Sequence, residues 1–265
     1  MRTLQVVTFA VLAFLLAPLV VVFISAFSAA NYITFPPRSF SMRWFSELLE
    51  RSEFVDSMLL SLTIAVIVSI ISTTVGGIAA VALIRFQFPG QRFLSALFMS
   101  PLVLPGVVIG IALLQFFSQV WIFGAPLSTR SASLVIGHVI ITIPYAIRLI
   151  SASLVGQERS LELAARSLGA TPVGAFVRIT LPSISTGVFS SAVFTFLVSF
   201  DNVTISVFLA TPQMVPIPVR IYTMMENVTT PLVASVSSIL MLVTVIMVVM
   251  IERTLGLQRL MGGRS

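Results

Sequence analysis

The chain has 265 residues, of which 57% are hydrophobic and 9% charged, with a formal net charge of +6 and a mean hydropathy of +1.09. A soluble domain carries about 25% charged residues, so this composition excludes an ordinary soluble protein and predicts one that faces lipid. The absence of cysteine excludes disulfides and thiolate metal sites.

All fifteen basic residues are arginine. A phosphate-binding Walker loop needs a lysine, so any ATP that drives this protein must be bound by another chain. Schiff-base catalysis by lysine is excluded for the same reason. The arginines are scattered between apolar runs and form no basic stripe, which argues against a nucleic-acid partner.

Six apolar runs are long enough to cross a bilayer, since about 18 uncharged apolar residues suffice for a transmembrane helix. Lipid cannot satisfy free backbone groups, so we expect helices despite the many valines and isoleucines. The sequence therefore predicts an all-α membrane protein with six transmembrane helices in a single domain, residues 1–265. The predicted spans are residues 4–27, 58–84, 93–117, 131–147, 184–210 and 232–251.

The first run is longer than the apolar part of a signal peptide, so we expect an uncleaved membrane anchor. Ten of the fifteen arginines fall on one side when the six spans alternate across the bilayer. Because cytoplasmic loops carry an excess of arginine, both termini and the loop 149–182 are predicted to lie in the cytoplasm.

The loop 149–182 is a polar segment between two apolar ones. A helix is predicted from 158 to 168, where Glu162 and Arg166 are four residues apart and can form an ion pair. Gly169 is placed where helices often end in a left-handed residue. Thr171 is suited to cap a second short helix. A hydrophilic helix–turn–helix in so apolar a chain predicts a docking site for a soluble partner.

This loop resembles the EAA loop of bacterial ABC importer permeases. Six residues match that pattern in register: Ala164, Ala165, Gly169, Ile179, Leu181 and Pro182. Leu163 occupies the position of the pattern's glutamate, and Glu162 stands one residue earlier. Nearly the whole chain is similar to the second permease of spermidine/putrescine importers, including Ser199-Phe200-Asp201-Asn202 in the fifth span.

The resemblance implies a type I ABC importer permease in the bacterial inner membrane, with a coupling helix between the fourth and fifth spans. Its implied partners are a second homologous permease, two cytoplasmic ATPase subunits that bind ATP and Mg, and a periplasmic solute-binding protein. The implied cargo is a polyamine or similar organic amine, with an amino-phosphonate, another amine, an anion or a metal as alternatives. The residues expected to couple to the ATPase are Glu158, Glu162, Ala164, Ala165, Arg166, Gly169, Ile179, Leu181 and Pro182.

Asp201 is the only acid inside a predicted span. A carboxylate in a bilayer is costly, so it is expected to face a cavity or a partner. It could attract a cation in the translocation pathway. It could instead be a structural carboxylate that accepts hydrogen bonds from Asn202, Thr204 or a neighbouring permease, or that lies near the outer water. The candidate pathway residues are Asp201, Asn202, Phe200 and Pro105.

His138 is the sole histidine, and without further ligands it cannot build a metal site. It could relay protons or bond to a neighbouring helix. An ion-coupled carrier or channel usually carries several intramembrane charges, and this chain has one. A membrane-embedded enzyme needs a nucleophile with its base or clustered ligands, so we expect no catalytic residues, no metal and no cofactor in this chain.

Overall fold

The computed structural model describes residues 2–227 and 230–262, and the chain is 79% helical. The helices are α1 Arg2–Ser25, α2 Arg43–Glu50, α3 Ser52–Arg85, α4 Gln91–Met99, α5 Gly106–Gln119, α6 Ser131–Val155, α7 Arg159–Ser167, α8 Pro172–Ala175, α9 Leu181–Ser183, α10 Ser185–Phe200, α11 Val203–Leu209, α12 Ile217–Asn227 and α13 Pro231–Gly262. A π-helical turn, Phe176–Thr180, joins α8 to α9. Two short antiparallel strands, β1 Trp121–Ile122 and β2 Ala125–Pro126, follow α5.

Four of the described helices are long and apolar enough to cross a membrane: Leu4–Ser25, Ser52–Arg85, Ser131–Val155 and Pro231–Met250. Two bent pairs pass the same test, and counting each pair as one span gives up to six. The pair Gln91–Leu102 and Gly106–Gln119 bends by 105°, and the pair Pro172–Ser183 and Ser185–Phe200 bends by 69°. The number of six spans and the direction in which the chain crosses the bilayer stay predictions.

The run 93–117 is not one continuous helix. It divides before Gly106, and Pro105 takes the extended conformation that precedes α5. Proline lacks an amide hydrogen and disfavours helical geometry in the residue before it, which accounts for a break here. Pro144, by contrast, lies inside the unbroken helix α6.

The run 184–210 is also divided in the structure. Helix α10 ends at Phe200, and α11 begins at Val203 after a short break at Asp201 and Asn202. The side chain of Asn202 accepts a hydrogen bond of 2.8 Å from the amide of Ile205, so it caps α11. An asparagine that bonds to the backbone in this way competes with helix continuation, which apolar content alone does not reveal.

The chain forms two compact units, of which the first comprises Met1–Leu60 and Val215–Ile246. Its core is made by α2, the start of α3, α12 and the start of α13. The buried residues of this core are Trp44, Leu48, Phe54, Ile217, Leu232 and Val236. The indole nitrogen of Trp44 donates to the carbonyl oxygen of Ser28 at 2.8 Å, which holds α2 against the chain that precedes it.

The second unit comprises Ser61–Met214 and Met247–Ser265. Its core lies between α3, α6 and the start of α10, with Ala79, Ala80, Ile147, Ile150, Leu154 and Ile184 buried. Helices α3 and α6 approach closely, since a Cβ added at Gly76 would lie 2.5 Å from the Cβ of Ala146. The hydroxyls of Ser72 and Thr142 are 2.7 Å apart at the same seam. Small residues that allow such approach are typical of packed membrane helices.

Candidate functional site

The segment 158–183, called here the coupling segment, has the local structure that its sequence predicts. Glu158 precedes α7, which ends at Ser167, and Gly169 follows with φ +92°, in the left-handed region. The hydroxyl of Thr171 accepts a hydrogen bond of 3.1 Å from the amide of Gly174 and caps α8. The predicted helix, left-handed turn and cap are therefore confirmed.

Arg85, the last residue of α3, connects three parts of this region. Its guanidinium forms an ion pair with Glu162 of α7 and donates to Oε1 of Gln157 at 2.8 Å. The hydroxyl of Thr180 donates to the same carboxylate oxygen of Glu162 at 2.7 Å. The side chains of Arg85 and Glu162 are only 11% and 14% exposed, and Thr180 is fully buried. The network is therefore shielded from solvent.

The expected pairing of Glu162 with Arg166 is replaced by the ion pair with Arg85. Arg166 lies on the exposed side of α7. A partner four residues away on a short exposed helix contributes about 0.3–0.5 kcal/mol, whereas a shielded guanidinium bonds more strongly. Tertiary structure therefore overrides the local spacing.

Burial on its own raises the pKa of the Glu162 carboxyl, and its polar partners act in the opposite direction. The hydrogen bond from Thr180, the hydrogen bond and charge of Arg85, and the charge of Arg159 outweigh burial and lower this pKa from its ordinary value of 4.5. Glu162 is therefore ionised at neutral pH, and its charge is committed to the network.

The outward side of α7 and α8 carries several large apolar side chains beside the exposed Arg159 and Arg166. Leu161, Leu163, Leu168 and Val173 are 56%, 49%, 90% and 72% exposed. Leu163, at the glutamate position of the EAA pattern, belongs to this face. Exposed apolar side chains of this size on an otherwise polar segment are typical of a protein–protein contact.

Two candidate pathway residues lie at the break between α10 and α11. Asp201 is exposed, and within the described residues its carboxylate meets neither a hydrogen-bond donor nor a cation. Asn202 uses its Oδ1 to cap α11, where it accepts from the amide of Ile205. Within the described part of this chain, Asp201 is therefore bonded to neither Asn202 nor Thr204, the two intrachain partners that the structural interpretation named.

Phe200 and Pro105 occupy different environments. Phe200 is 2% exposed, and its ring stacks on Phe196 at 5.6 Å, so the structure places it in packed interior instead of on an open pathway surface. Pro105 is exposed at the start of α5. A Cβ added at the adjacent Gly106 would lie 3.1 Å from Thr204 in α11, so the breaks before α5 and α11 are neighbours.

His138 in α6 is bonded to two neighbouring helices, as one of its two interpretations expected. Its Nδ1 lies 2.8 Å from the hydroxyl of Ser199 in α10, and its Nε2 lies 3.0 Å from that of Ser206 in α11. Across the described residues, no group of three or more His, Cys, Asp or Glu side chains could hold a metal ion.

Sequence reasoning missed Arg85, Gln157 and Thr180. Arg85 is one of the ten arginines that orient the membrane spans, and Thr180 stands between Ile179 and Leu181, two residues that match the EAA pattern. A signal was present, because Arg85 and Glu162 are charges next to apolar runs and must each find a partner or water. Their separation of 77 residues hid the pairing.

Comparison with known proteins identifies a family and several relatives. Residues 72–255 match the family described as binding-protein-dependent transport system inner membrane component. The chain is 31% identical over 230 residues to the putrescine transport system permease protein PotI of Escherichia coli, covering 86% of this chain and 82% of that protein. It is 28% identical over 242 residues to the spermidine/putrescine transport system permease protein PotC of Haemophilus influenzae, covering 91% and 92%.

Among solved structures, a bacterial ABC transporter involved in the import of the acidic polysaccharide alginate superimposes with a TM-score of 0.75 at 14% identity. The alignment covers 97% of this chain and 94% of that one, and at this identity it shows the fold alone. The predicted fold class, an all-α permease of the ABC importer kind, is confirmed. The match over residues 72–255 and the identity to PotI lead to one conclusion: the chain belongs to the family of inner membrane components of binding-protein-dependent transport systems.

Proposed function

We propose that this permease forms half of the membrane pathway of an ATP-driven importer for a polyamine or similar organic amine. The observation that carries the proposal is the coupling segment: a capped helix–turn–helix that presents apolar side chains outward and is tied to α3 by Arg85. Such a segment is suited to receive mechanical work from a soluble subunit. The chain is itself no ATPase, and ATP hydrolysis belongs to a separate subunit.

The proposed assembly contains this chain, a second homologous permease, two ATPase subunits with their ATP and Mg, and a periplasmic binding protein. The family description supports the binding protein. In this assembly the loop 149–182 and both termini lie in the cytoplasm, and the single permease domain, residues 1–265, crosses the bacterial inner membrane six times. Nucleotide binding must then stabilise the outward-open arrangement over the inward-open one, because only a differential interaction shifts an equilibrium.

The substrate class rests on two observations. PotI and PotC are named for putrescine and spermidine transport. Asp201 offers an unpaired carboxylate beside the break between α10 and α11, and a carboxylate binds an ammonium through charge-assisted hydrogen bonds. An anion carrier would gain nothing from an acid at this place.

The test is transport by the whole complex, purified through an affinity tag on this chain and reconstituted in liposomes with its binding protein. We expect uptake of radiolabelled putrescine or spermidine that needs ATP on the ATPase side. Liposomes containing this chain alone serve as the control and should take up neither amine. Uptake by the chain alone, or equal uptake with and without ATP, would overturn the proposal. A complex that imports only an anion would overturn its substrate part.

A further inference from the structure

We propose that Arg85 is the positioning residue that fastens the coupling segment to the end of α3, and that Glu162 serves this internal bond instead of a bond to the ATPase. The proposal rests on the proposed function for the identity of the soluble partner. It assigns to α3 a direct part in transmission, in addition to α10, which follows the coupling segment along the chain.

The guanidinium of Arg85 makes several connections at once. Arg85 pairs with Glu162 in α7, donates to Gln157 between α6 and α7, and lies 3.4 Å from the hydroxyl of Thr180 in the π-helical turn. Gln157 in turn donates to the hydroxyl of Ser183 at 2.9 Å. The end of α3 is thereby bonded to both helical halves of the coupling segment.

Glu162 is already bonded within its own chain. Its Oε2 accepts from both Arg85 and Thr180, and its side chain is 14% exposed. Leu163, at the position of the pattern's acid, is an exposed leucine. The exposed side of this segment therefore offers the ATPase the apolar side chains of Leu161, Leu163 and Leu168 beside the exposed Arg159 and Arg166.

Helix α7 depends on these bonds. It has nine residues, none of them buried, and helices shorter than about 12–15 residues are marginal on their own. The tie through Glu162 compensates for this lack of buried side chains. Helix α3 in turn is seated on α6 through Gly76 and Ser72, so a displacement of α7 is passed to two packed membrane helices.

The experiment compares Arg85→Gln, Arg85→Lys and Glu162→Gln in the reconstituted complex, with Arg92→Gln as a matched control on an exposed arginine outside the network. The readouts are retention of the ATPase during purification, ATP hydrolysis with and without amine-loaded binding protein, and amine imported per ATP hydrolysed. We expect Arg85→Gln and Glu162→Gln to retain the ATPase and to lower amine imported per ATP about fivefold or more. The double variant Arg85→Gln/Glu162→Gln should import no less amine per ATP than either single variant, because each single substitution already removes the same interaction. Arg85→Lys should restore part of the ratio, and Arg92→Gln should match the wild type.

A distance measurement between two spin labels tests variants whose complex assembles poorly. The chain has no cysteine, so spin labels can be placed at Ile84→Cys and Leu161→Cys without a background, and their distance distribution read in nanodiscs. Arg85→Gln should broaden this distribution, and Arg92→Gln should leave it narrow. The proposal is overturned if both network variants keep the wild-type import ratio and a narrow distribution, or if Glu162→Gln alone releases the ATPase. A wild-type chain that retains no ATPase would instead refute the proposed function.

Discussion

Nδ1 of His138 lies 2.8 Å from the hydroxyl of Ser199, two residues before the point where the fifth predicted span breaks. Its Nε2 lies 3.0 Å from Ser206, on the far side of that break. A neutral imidazole can donate through one nitrogen and accept through the other, so one buried ring in α6 holds α10 and α11 together. The ring of His138 therefore fixes α10 and α11 relative to each other at the break.

Replacing His138 by alanine should destabilise the protein by about 1–3 kcal/mol, the cost of leaving buried polar groups without their partner. The lower part of this range applies if Ser199 and Ser206 turn to carbonyl oxygens of their own helices. Thermal unfolding in detergent measures the effect. His138→Gln, which can keep one of the two bonds, should fall between alanine and wild type. Equal stability of all three proteins would refute the structural role.

Gly76 and its neighbour Gly77 form a matched pair on α3. A Cβ at Gly76 would lie 2.5 Å from the Cβ of Ala146 and 3.3 Å from the amide nitrogen of Ile147, and neither atom can rotate away. Gly76→Ala should therefore cost about 1–3 kcal/mol through overpacking. A Cβ at Gly77 would meet Ile150 at 3.4 Å, an ordinary contact, so Gly77→Ala should be neutral or stabilising. The unfolding temperatures of the two variants test this prediction. A larger decrease for Gly77→Ala than for Gly76→Ala would contradict the packing.

Gly169→Ala should open the end of α7 without any clash, because nothing lies within 4 Å of the added Cβ and only the φ of +92° is strained. The amide of Ala170 bonds to the carbonyl oxygen of Ala165 at 3.0 Å across this turn. Strain of about 1–2 kcal/mol should speed hydrogen exchange at that amide roughly five- to thirtyfold. Gly156→Ala, at a residue with φ −78°, is the control and should leave exchange unchanged. Unchanged exchange in Gly169→Ala would show that the turn tolerates a side chain.

The pH dependence of the network follows from the lowered pKa of Glu162. Folding favours the ionised carboxyl, so its stabilising contribution is complete above the ordinary pKa of 4.5 and is lost as pH falls through the lower folded value. The stability difference between wild type and Glu162→Gln should be constant from pH 8 to about 5.5 and shrink below 4.5. In an Arg85→Gln background this pH dependence should weaken. A difference that grows in acid would have the wrong sign for this mechanism.

Asp201→Asn should lower amine transport while the complex still assembles. The substitution keeps the size of the side chain and removes its charge, so an ammonium loses its charge-assisted partner. Uptake in liposomes and size-exclusion chromatography of the complex measure the two outcomes. Asn202→Asp, which can still cap α11, is a matched variant at the next position. Normal uptake by Asp201→Asn would remove this residue from the pathway.

Local features of the coupling segment could be predicted because they depend on neighbours in sequence. The cap at Thr171 and the left-handed Gly169 follow from residue type and spacing, and both are present. The same reasoning paired Glu162 with Arg166, since it considers only residues within one helical turn. The true partner, Arg85, is brought close by the packing of α3 against α6, which no periodicity encodes.

The membrane helices show a similar division between local and tertiary information. Hydropathy finds the apolar runs, yet it does not register the 105° bend before α5 or the joint at Asp201. Each break coincides with a residue that acts on the backbone, Pro105 before α5 and Asn202 before α11. A proline in an apolar run does not by itself predict such a break, because α6 continues through Pro144.

The bend at Pro105 determines what can contact the backbone at the start of α5. The first helical bond of α5 runs from the amide of Ile109 to the carbonyl oxygen of Pro105, so the amides of Gly106, Val107 and Val108 receive no carbonyl from their own helix. Acyl chains offer no acceptors, and each unsatisfied amide there would cost several kcal/mol. The backbone at this corner must therefore contact water or protein. Lipid acyl chains are excluded from it.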